Sequence, residues 1–513
     1  MAINQLKAGA LLSYITLGLN NVIGLLYTPF LLRMLGQSEF GLYSLVAAVV
    51  GYLTIMDFGF GNAIIRYTAR LRAQGKKEEQ YSLFGMFLML YSGIGLLAFI
   101  AGLALYFNVD KLFGATMNVV ELDKARIMML LLIFNLAITF PLSIFGSIII
   151  AYENFVFQKM VNIVRTILNP CIMIPVLFMG YKAIGVVVIM TLLNIISLLA
   201  NFWFCFAKLK IKIYFKNFEW GLLKEIAGYS FFVFLVIIVD KIYWNTGQFV
   251  LGIVAGTTVV AVYAIAIQLQ MYYMSFSLAI SGVFLPKVTA MVAQNKSEKE
   301  ISDLFIRTGR IQYVIMAFIC SGFILFGKSF IVLWAGANYV DAYSISLLLM
   351  IPFTFPLIQN LGITILQARN QQMFRAVLYI VIAACSLAIS IPLAKLYGGI
   401  GCAIGTSCAL ITGDIIALNI YYYKRIHIDI PRFWKEIFEM SIPVFAVTAV
   451  GLAMNYIHLR DTILSLSIKI VVFTFLYFPL IWWKGINSYE RILFGVPLKR
   501  ILSKSLFLLK IKN

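Results

Sequence analysis

The sequence predicts an all-α polytopic membrane protein with about 14 transmembrane helices, in two pseudo-symmetric six-helix lobes around a central cavity, followed by two more helices. Three observations lead there. Of the 513 residues, 62% are apolar and only 12% charged, far from the composition of soluble globular domains. The apolar runs are about 20 residues long and lack ten-residue alternation, so their backbone groups must be satisfied within helices and not between barrel strands. A weak internal repeat, at an offset of about 220 residues, divides the run of spans into two copies.

In chain order the spans are expected at about 10–32, 41–65, 83–107, 127–150, 158–179, 183–206, 226–249, 256–285, 308–330, 342–366, 373–394, 398–423, 437–457 and 462–484. The first has no small-residue cleavage site after a short core, so it reads as a retained helix and not as a signal peptide.

Positive residues are retained on the cytoplasmic side of a membrane protein. With the N-terminus inside, about 31 of the 41 lysines and arginines fall on the inner side and about 8 in outer loops. The densest stretches are "RYTARLRAQGKK" from Arg66, "KLKIKIYFK" from Lys208 and the tail "ERILFGVPLKRILSKSLFLLKIKN", which reads as an interfacial amphipathic segment. Both termini are therefore expected in the cytoplasm. The net charge of +20 becomes a topology signal with attraction to anionic lipid, and no nucleic-acid partner is implied.

All six cysteines, Cys171, Cys205, Cys320, Cys385, Cys402 and Cys408, lie in apolar spans and read as small packing residues. The two histidines, His427 and His458, fall in loops on opposite expected sides. No metal, no other cofactor and no disulfide framework is expected.

The repeat sets "LLRMLGQSEFGLYSL" from Leu31 on "LGIVAGTTVVAVYAI" from Leu251, matching Leu31 with Leu251, Gly36 with Gly256 and Tyr43 with Tyr263. At nearly the same offset "YKAIG" from Tyr181 falls on "YGGIG" from Tyr397, and Pro141 and Pro356 open comparable segments. A repeat of six spans is even, so its copies enter the membrane in the same direction. The expected divisions are a lobe at 1–215, a lobe at 216–430, two added helices at 431–484 and a basic cytoplasmic tail at 485–513.

Under that repeat, Asp240 and Lys241 in "FLVIIVDKIYWN" fall on Asn20 and Asn21 in "LGLNNVIGLL", so both copies carry two consecutive polar residues in the middle of their first helix. Such groups are costly in hydrocarbon and normally face a bundle interior or water, which points to a shared polar cavity. Gln268, Gln270, Asp57 and Asp414 add to it. Adjacent helical residues diverge by about 100°, so Asp240 and Lys241 do not face one another. Lys241 either serves a ligand phosphate or coupling ion, or is neutralised by a carboxylate such as Asp57 and locks helices together. Asp57 has a structural reading, at the helix end leading into "DFGFGNAIIRY", beside a coupling one; for Asp414 the structural reading is preferred, and Lys469 snorkels.

The stretch "LLRMLGQSEFGLYSLVAAVVGYLTIMDFGFGNAIIRYTA" from Leu31 resembles the opening of bacterial polysaccharide flippases of the Wzx type. These belong to the superfamily of multidrug, oligosaccharidyl-lipid and polysaccharide exporters. The resemblance continues through "AYENFVFQKMVNIVRTILNP" and covers nearly the whole chain. It implies a non-enzymatic membrane protein that moves undecaprenyl-pyrophosphate-linked oligosaccharide, for O-antigen or capsule, across the bacterial cytoplasmic membrane by alternating access. Its implied partners are that glycolipid, membrane lipids and other polysaccharide-assembly proteins. Lys241 is then the leading pyrophosphate ligand, with Arg33 and Arg165 as secondary cations near span ends. Asn20, Asn21, Gln268 and Gln270 can exchange hydrogen bonds with sugar hydroxyls, and Tyr14, Tyr27 and Tyr263 can offer ring faces or hydroxyls. Coupling to a proton or sodium gradient would use Asp57 or Asp240.

The expected mid-membrane charges, Lys241 against Asp57 and Asp240, do not make a strongly cationic lumen. A cation-coupled drug or metabolite exporter of the same superfamily therefore stands as an alternative, and a lipid II flippase as another. A glycan polymerase or ligase would need an outward acid/base site, and the longest outer segment, 108–126, holds no histidine.

Overall fold

A computed structural model of the chain describes residues 5–216, 220–369, 371, 373–455 and 462–493. All regular structure among them is helical. The helices are α1 (Gln5–Leu35), α2 (Gln37–Leu53), α3 (Phe60–Ala73), α4 (Lys77–Phe107), α5 (Val109–Phe113), α6 (Val119–Ala151), α7 (Phe155–Phe178), α8 (Ala183–Ala207) and α9 (Trp220–Val254). They continue with α10 (Thr257–Ala293), α11 (Glu298–Trp334), α12 (Ala342–Ile358), α13 (Asn360–Ala368), α14 (Met373–Leu410), α15 (Leu418–Lys424), α16 (Ile430–Asn455) and α17 (Ile463–Leu480).

Eleven of the described helical stretches are long and apolar enough to cross a membrane, or 12 when the bent pair α12 and α13 counts as one span. The expected 14 differ for traceable reasons. The eleventh and twelfth expected spans lie within one stretch, Met373–Lys424, which is interrupted only by the non-helical backbone of Gly398. The seventh is α9, several of whose side chains lie outside the described residues, and it is not among the eleven. His458 and the tail from residue 494 onward also lie outside the described residues.

Contacts group the chain into two compact units, Met1–Leu269 with Met373–Ala409, and Gln270–Gln372 with Leu410–Asn513. In the first, α4, α6 and α3 enclose an aromatic core of Phe84, Phe87, Tyr91, Phe140 and Phe145. Close backbone approach depends on glycine: a Cβ on Gly41 would lie 1.8 Å from the Thr257 carbonyl oxygen, and one on Gly85 2.0 Å from that of Tyr214. Gly36 and Gly256, matched by the repeat, both take positive φ between consecutive helices, 80° and 83°.

In the second unit the last two helices attach to α11 through Phe326, Met440, Phe473 and Tyr477, whose hydroxyl donates to the Val314 carbonyl at 2.8 Å. A buried ion cluster secures the same seam. Arg310 Nε donates to Glu490 Oε1 at 2.6 Å and Nη2 to Glu490 Oε2 at 3.0 Å. Glu436 lies 3.4 Å from Arg310 Nη1. Glu490 and Asn487 also cap one another.

Two spans are broken. In the first unit the helix gives way at 54–59, where Phe58 and Gly59 both adopt left-handed backbone, at φ of 52° and 73°. In the second, α12 and α13 meet at an angle of 44° beyond Pro352 and Pro356. The freed Leu357 carbonyl there accepts from Ser277 Oγ at 2.7 Å.

Candidate functional site

The sequence-predicted polar residues do not share one location. Asn20 and Tyr27 of α1 and Arg165 of α7 line one pocket of about 400 Å³, with Thr16, Asn162, Thr166 and Asn169. α7 supplies its wall because Gln158, Asn162, Arg165, Thr166 and Asn169 recur at helical spacing and form one polar face. Arg165 stands near the middle of α7, not near a span end as the sequence suggested.

Its guanidinium is held by neutral groups. Nη1 donates to Asn194 Oδ1 of α8 at 2.9 Å. Asn194 Nδ2 in turn donates to Asn135 Oδ1 and to Thr139 Oγ1 of α6, each at 2.8 Å. The Thr139 hydroxyl proton is committed to the Asn135 carbonyl at 2.7 Å, so its oxygen can only accept from Asn194. That fixes which end of the Asn194 amide faces the guanidinium. Among the described residues no carboxylate pairs with Arg165. Thr166 Oγ1 donates to Asn20 Oδ1 at 3.0 Å, which turns the Asn20 oxygen inward and leaves its amide hydrogens to donate. Tyr27 Oη and Asn169 Oδ1 are shielded from solvent and have no hydrogen-bond partner among the described residues. The pocket thus combines a fixed positive charge, several N–H and O–H donors and a free carbonyl acceptor. That set suits an oxyanion carried next to hydroxyl groups.

A second grouping surrounds the Asp240–Lys241 pair on α9. Asp240 is exposed and Lys241 half-buried, as neighbours on a helix must diverge. The charges that act on Asp240 are those of Arg375, near the start of α14, and Lys241. Arg375 also stacks over the Tyr379 ring at 4.7 Å. Among the described residues, two cations thus act on one carboxylate.

Asp57 lies at the break between α2 and α3. Its Oδ1 accepts from Tyr91 Oη at 2.8 Å, and its carboxylate also accepts from the Gly59 backbone amide. Gln268 Nε2 donates to the buried Thr28 hydroxyl of α1 at 2.8 Å. Tyr263 is 2% exposed and hydrogen-bonds Thr406; Gln270 is fully buried in the second unit. On α1, Asn21 is half-buried, while Tyr14 and Arg33 are exposed. Asp414 is buried within a π-helical turn at 411–417.

Sequence reasoning missed Asn135, Asn162, Asn169, Asn194 and Arg375. The amides carried a usable signal: on α8, Thr191, Asn194, Ser197 and Asn201 recur every three or four residues, as their counterparts do on α7. Arg375 carried none, because it stands at the end of a span among ordinary loop residues.

This helical architecture is similar to that of solved membrane transporters. It resembles the solved structure of the lipid II flippase MurJ in an inward closed conformation, with a TM-score of 0.69 and 17% identity over 96% of this chain and 99% of that one. It also resembles an inward-facing multidrug resistance MATE family transporter of the MOP superfamily, with a TM-score of 0.66 and 15% identity over 82% of this chain and 95% of that one. The family profile described as "Polysaccharide biosynthesis protein" matches residues 6–292, and the chain belongs to that family. A Shigella flexneri protein named "Putative O-antigen transporter" is 24% identical over 404 residues, 76% of this chain and 92% of the relative.

Proposed function

We propose that this protein is a flippase. It carries undecaprenyl-pyrophosphate-linked oligosaccharide from the inner to the outer leaflet of the bacterial cytoplasmic membrane by alternating access between lobes at 1–215 and 216–430, with both termini in the cytoplasm. Family membership and the Shigella relative support the class of cargo. The observation that carries the reading is the mid-helix Arg165, set among amides with no carboxylate beside it among the described residues.

A glycan headgroup bearing a pyrophosphate cannot cross hydrocarbon unaided, because its polar groups would lose hydrogen bonds and its charge its hydration. Arg165 answers the charge as a planar donor fork, and Asn20, Asn162, Asn169 and Tyr27 answer the hydroxyls. Lys241 and Arg375 offer a second cationic contact on α9 and α14. Those two positive charges argue against binding of an organic cation at Asp240, which the drug-exporter alternative requires. A proton or sodium gradient would be coupled at Asp57 or Asp240.

The test is a lipid extract from cells lacking the protein, analysed by mass spectrometry beside the complemented strain. The expected result is accumulation of the completed undecaprenyl-pyrophosphate repeat unit with loss of surface polysaccharide, both reversed by complementation. Accumulation of lipid II instead would reassign the cargo to peptidoglycan precursor. Intact surface polysaccharide with no accumulation would overturn the reading.

A further inference from the structure

We infer that Asn194 is a positioning residue that keeps the charge of Arg165 available for a diphosphate, an inference that rests on the flippase reading above. Among the described residues lining the pocket between α1 and α7, Arg165 is the only charged side chain and Tyr27 the only other titratable one. Its sole hydrogen bond from the protein, among the described residues, goes to a neutral carbonyl oxygen, that of Asn194. Asn194 cannot turn its NH2 toward Arg165, because Asn135 Oδ1 and Thr139 Oγ1 both take hydrogens from that end. A guanidinium has five donors in a rigid fork, so one bond to Asn194 orients the plane and leaves the remaining N–H groups for a ligand.

The choice of amide over acid is what matters. Aspartate has the same shape as asparagine, and at this position it would form a close ion pair with Arg165 and cancel the charge a diphosphate needs. It would also lose the two hydrogen bonds the amide nitrogen makes to α6. Asparagine orients the guanidinium while contributing no charge. This separates a positioning role from simple helix packing: alanine at 194 removes orientation, whereas aspartate removes charge.

The experiment is saturation binding of inorganic pyrophosphate to purified full-length protein in detergent, at low and high salt, for the wild type, N194A, N194D, R165K and R165Q. Thermal melting of each variant is recorded in parallel. Wild type is expected to bind saturably and more weakly as salt rises. N194A should lose a few-fold in affinity, and N194D and R165Q roughly tenfold or more, the effect of removing a charge-assisted hydrogen bond. Equal losses in N194A and N194D would mean that Asn194 acts through packing alone and would overturn the inference, as would N194D binding like wild type. Should N194D fail to fold, R165K and R165Q decide: binding retained in part by lysine and lost with glutamine supports the site, and wild-type binding by R165Q overturns it. Pyrophosphate binding without glycolipid accumulation in the deletion strain would sink the flippase reading and leave this site standing. Accumulation without pyrophosphate binding would do the reverse.

Discussion

Arg165 of α7, half-buried, donates from Nη1 to Oδ1 of Asn194 on α8 at 2.9 Å, and that bond to an uncharged partner is what distinguishes it from the buried Arg310, which is closed by Glu490 and Glu436. One guanidinium is neutralised and structural. The other keeps its charge, and the difference predicts opposite phenotypes.

Arg165→Gln is expected to lower glycan export by about tenfold or more, the scale of one charge-assisted hydrogen bond, with protein level and melting temperature close to wild type. Surface polysaccharide measured against membrane protein level checks this. Full export by R165Q would remove Arg165 from the substrate path.

Arg310→Ala should instead cost stability, about 3–5 kcal/mol, because it leaves Glu490 buried without its counter-charge. The expected readout is a marked drop in melting temperature in detergent and reduced accumulation in membranes. Replacing Arg310 and Glu490 together by apolar residues of similar volume should recover much of the loss.

Asp57 separates two roles. As an acceptor for Tyr91 and for the Gly59 amide at the start of α3, it can be replaced by asparagine at modest cost, about 1 kcal/mol, while alanine loses both bonds. As a coupling carboxylate it cannot be replaced by asparagine at all. Export by D57N, measured with and without a protonophore, distinguishes them: export retained and still gradient-dependent assigns Asp57 to the helix break.

Lys241→Ala and Arg375→Ala each remove one of the two cations whose charge acts on Asp240. Each is expected to reduce export several-fold, and the double variant more than either alone, since the pair then leaves a lone carboxylate. Export by the double variant at normal protein level would exclude α9 and α14 from the anion path.

Gly41→Ala tests the packing of the first unit. Its Cβ would meet the Thr257 carbonyl oxygen, so α2 and α10 must separate and a large loss of stability is expected; Gly18→Ala, with nothing within 4 Å, should be neutral or slightly stabilising. Melting of the two variants side by side checks both.

The amino-acid sequence by itself determined the class of fold, because a chain this apolar can satisfy its backbone in lipid only as helices, whatever its neighbours. It also paired Gly36 with Gly256, which both take positive φ, a region glycine enters without steric cost. It marked Asn20 as a polar residue too expensive for hydrocarbon, and its resemblance to a flippase family pointed to Tyr27 and Arg165. Tertiary structure decided which of these meet. Arg165 acquires its meaning from Asn194, Asn135 and Thr139 on two other helices, and Asp240 from Arg375, more than a hundred residues away. Tyr263 and Gln270, polar in the same spans, turn out to be enclosed by packing. The physical reason is that helical period reveals which residues share a face, but the partner of that face is chosen by how helices pack. A charge is therefore legible in a sequence while its neutralisation is not.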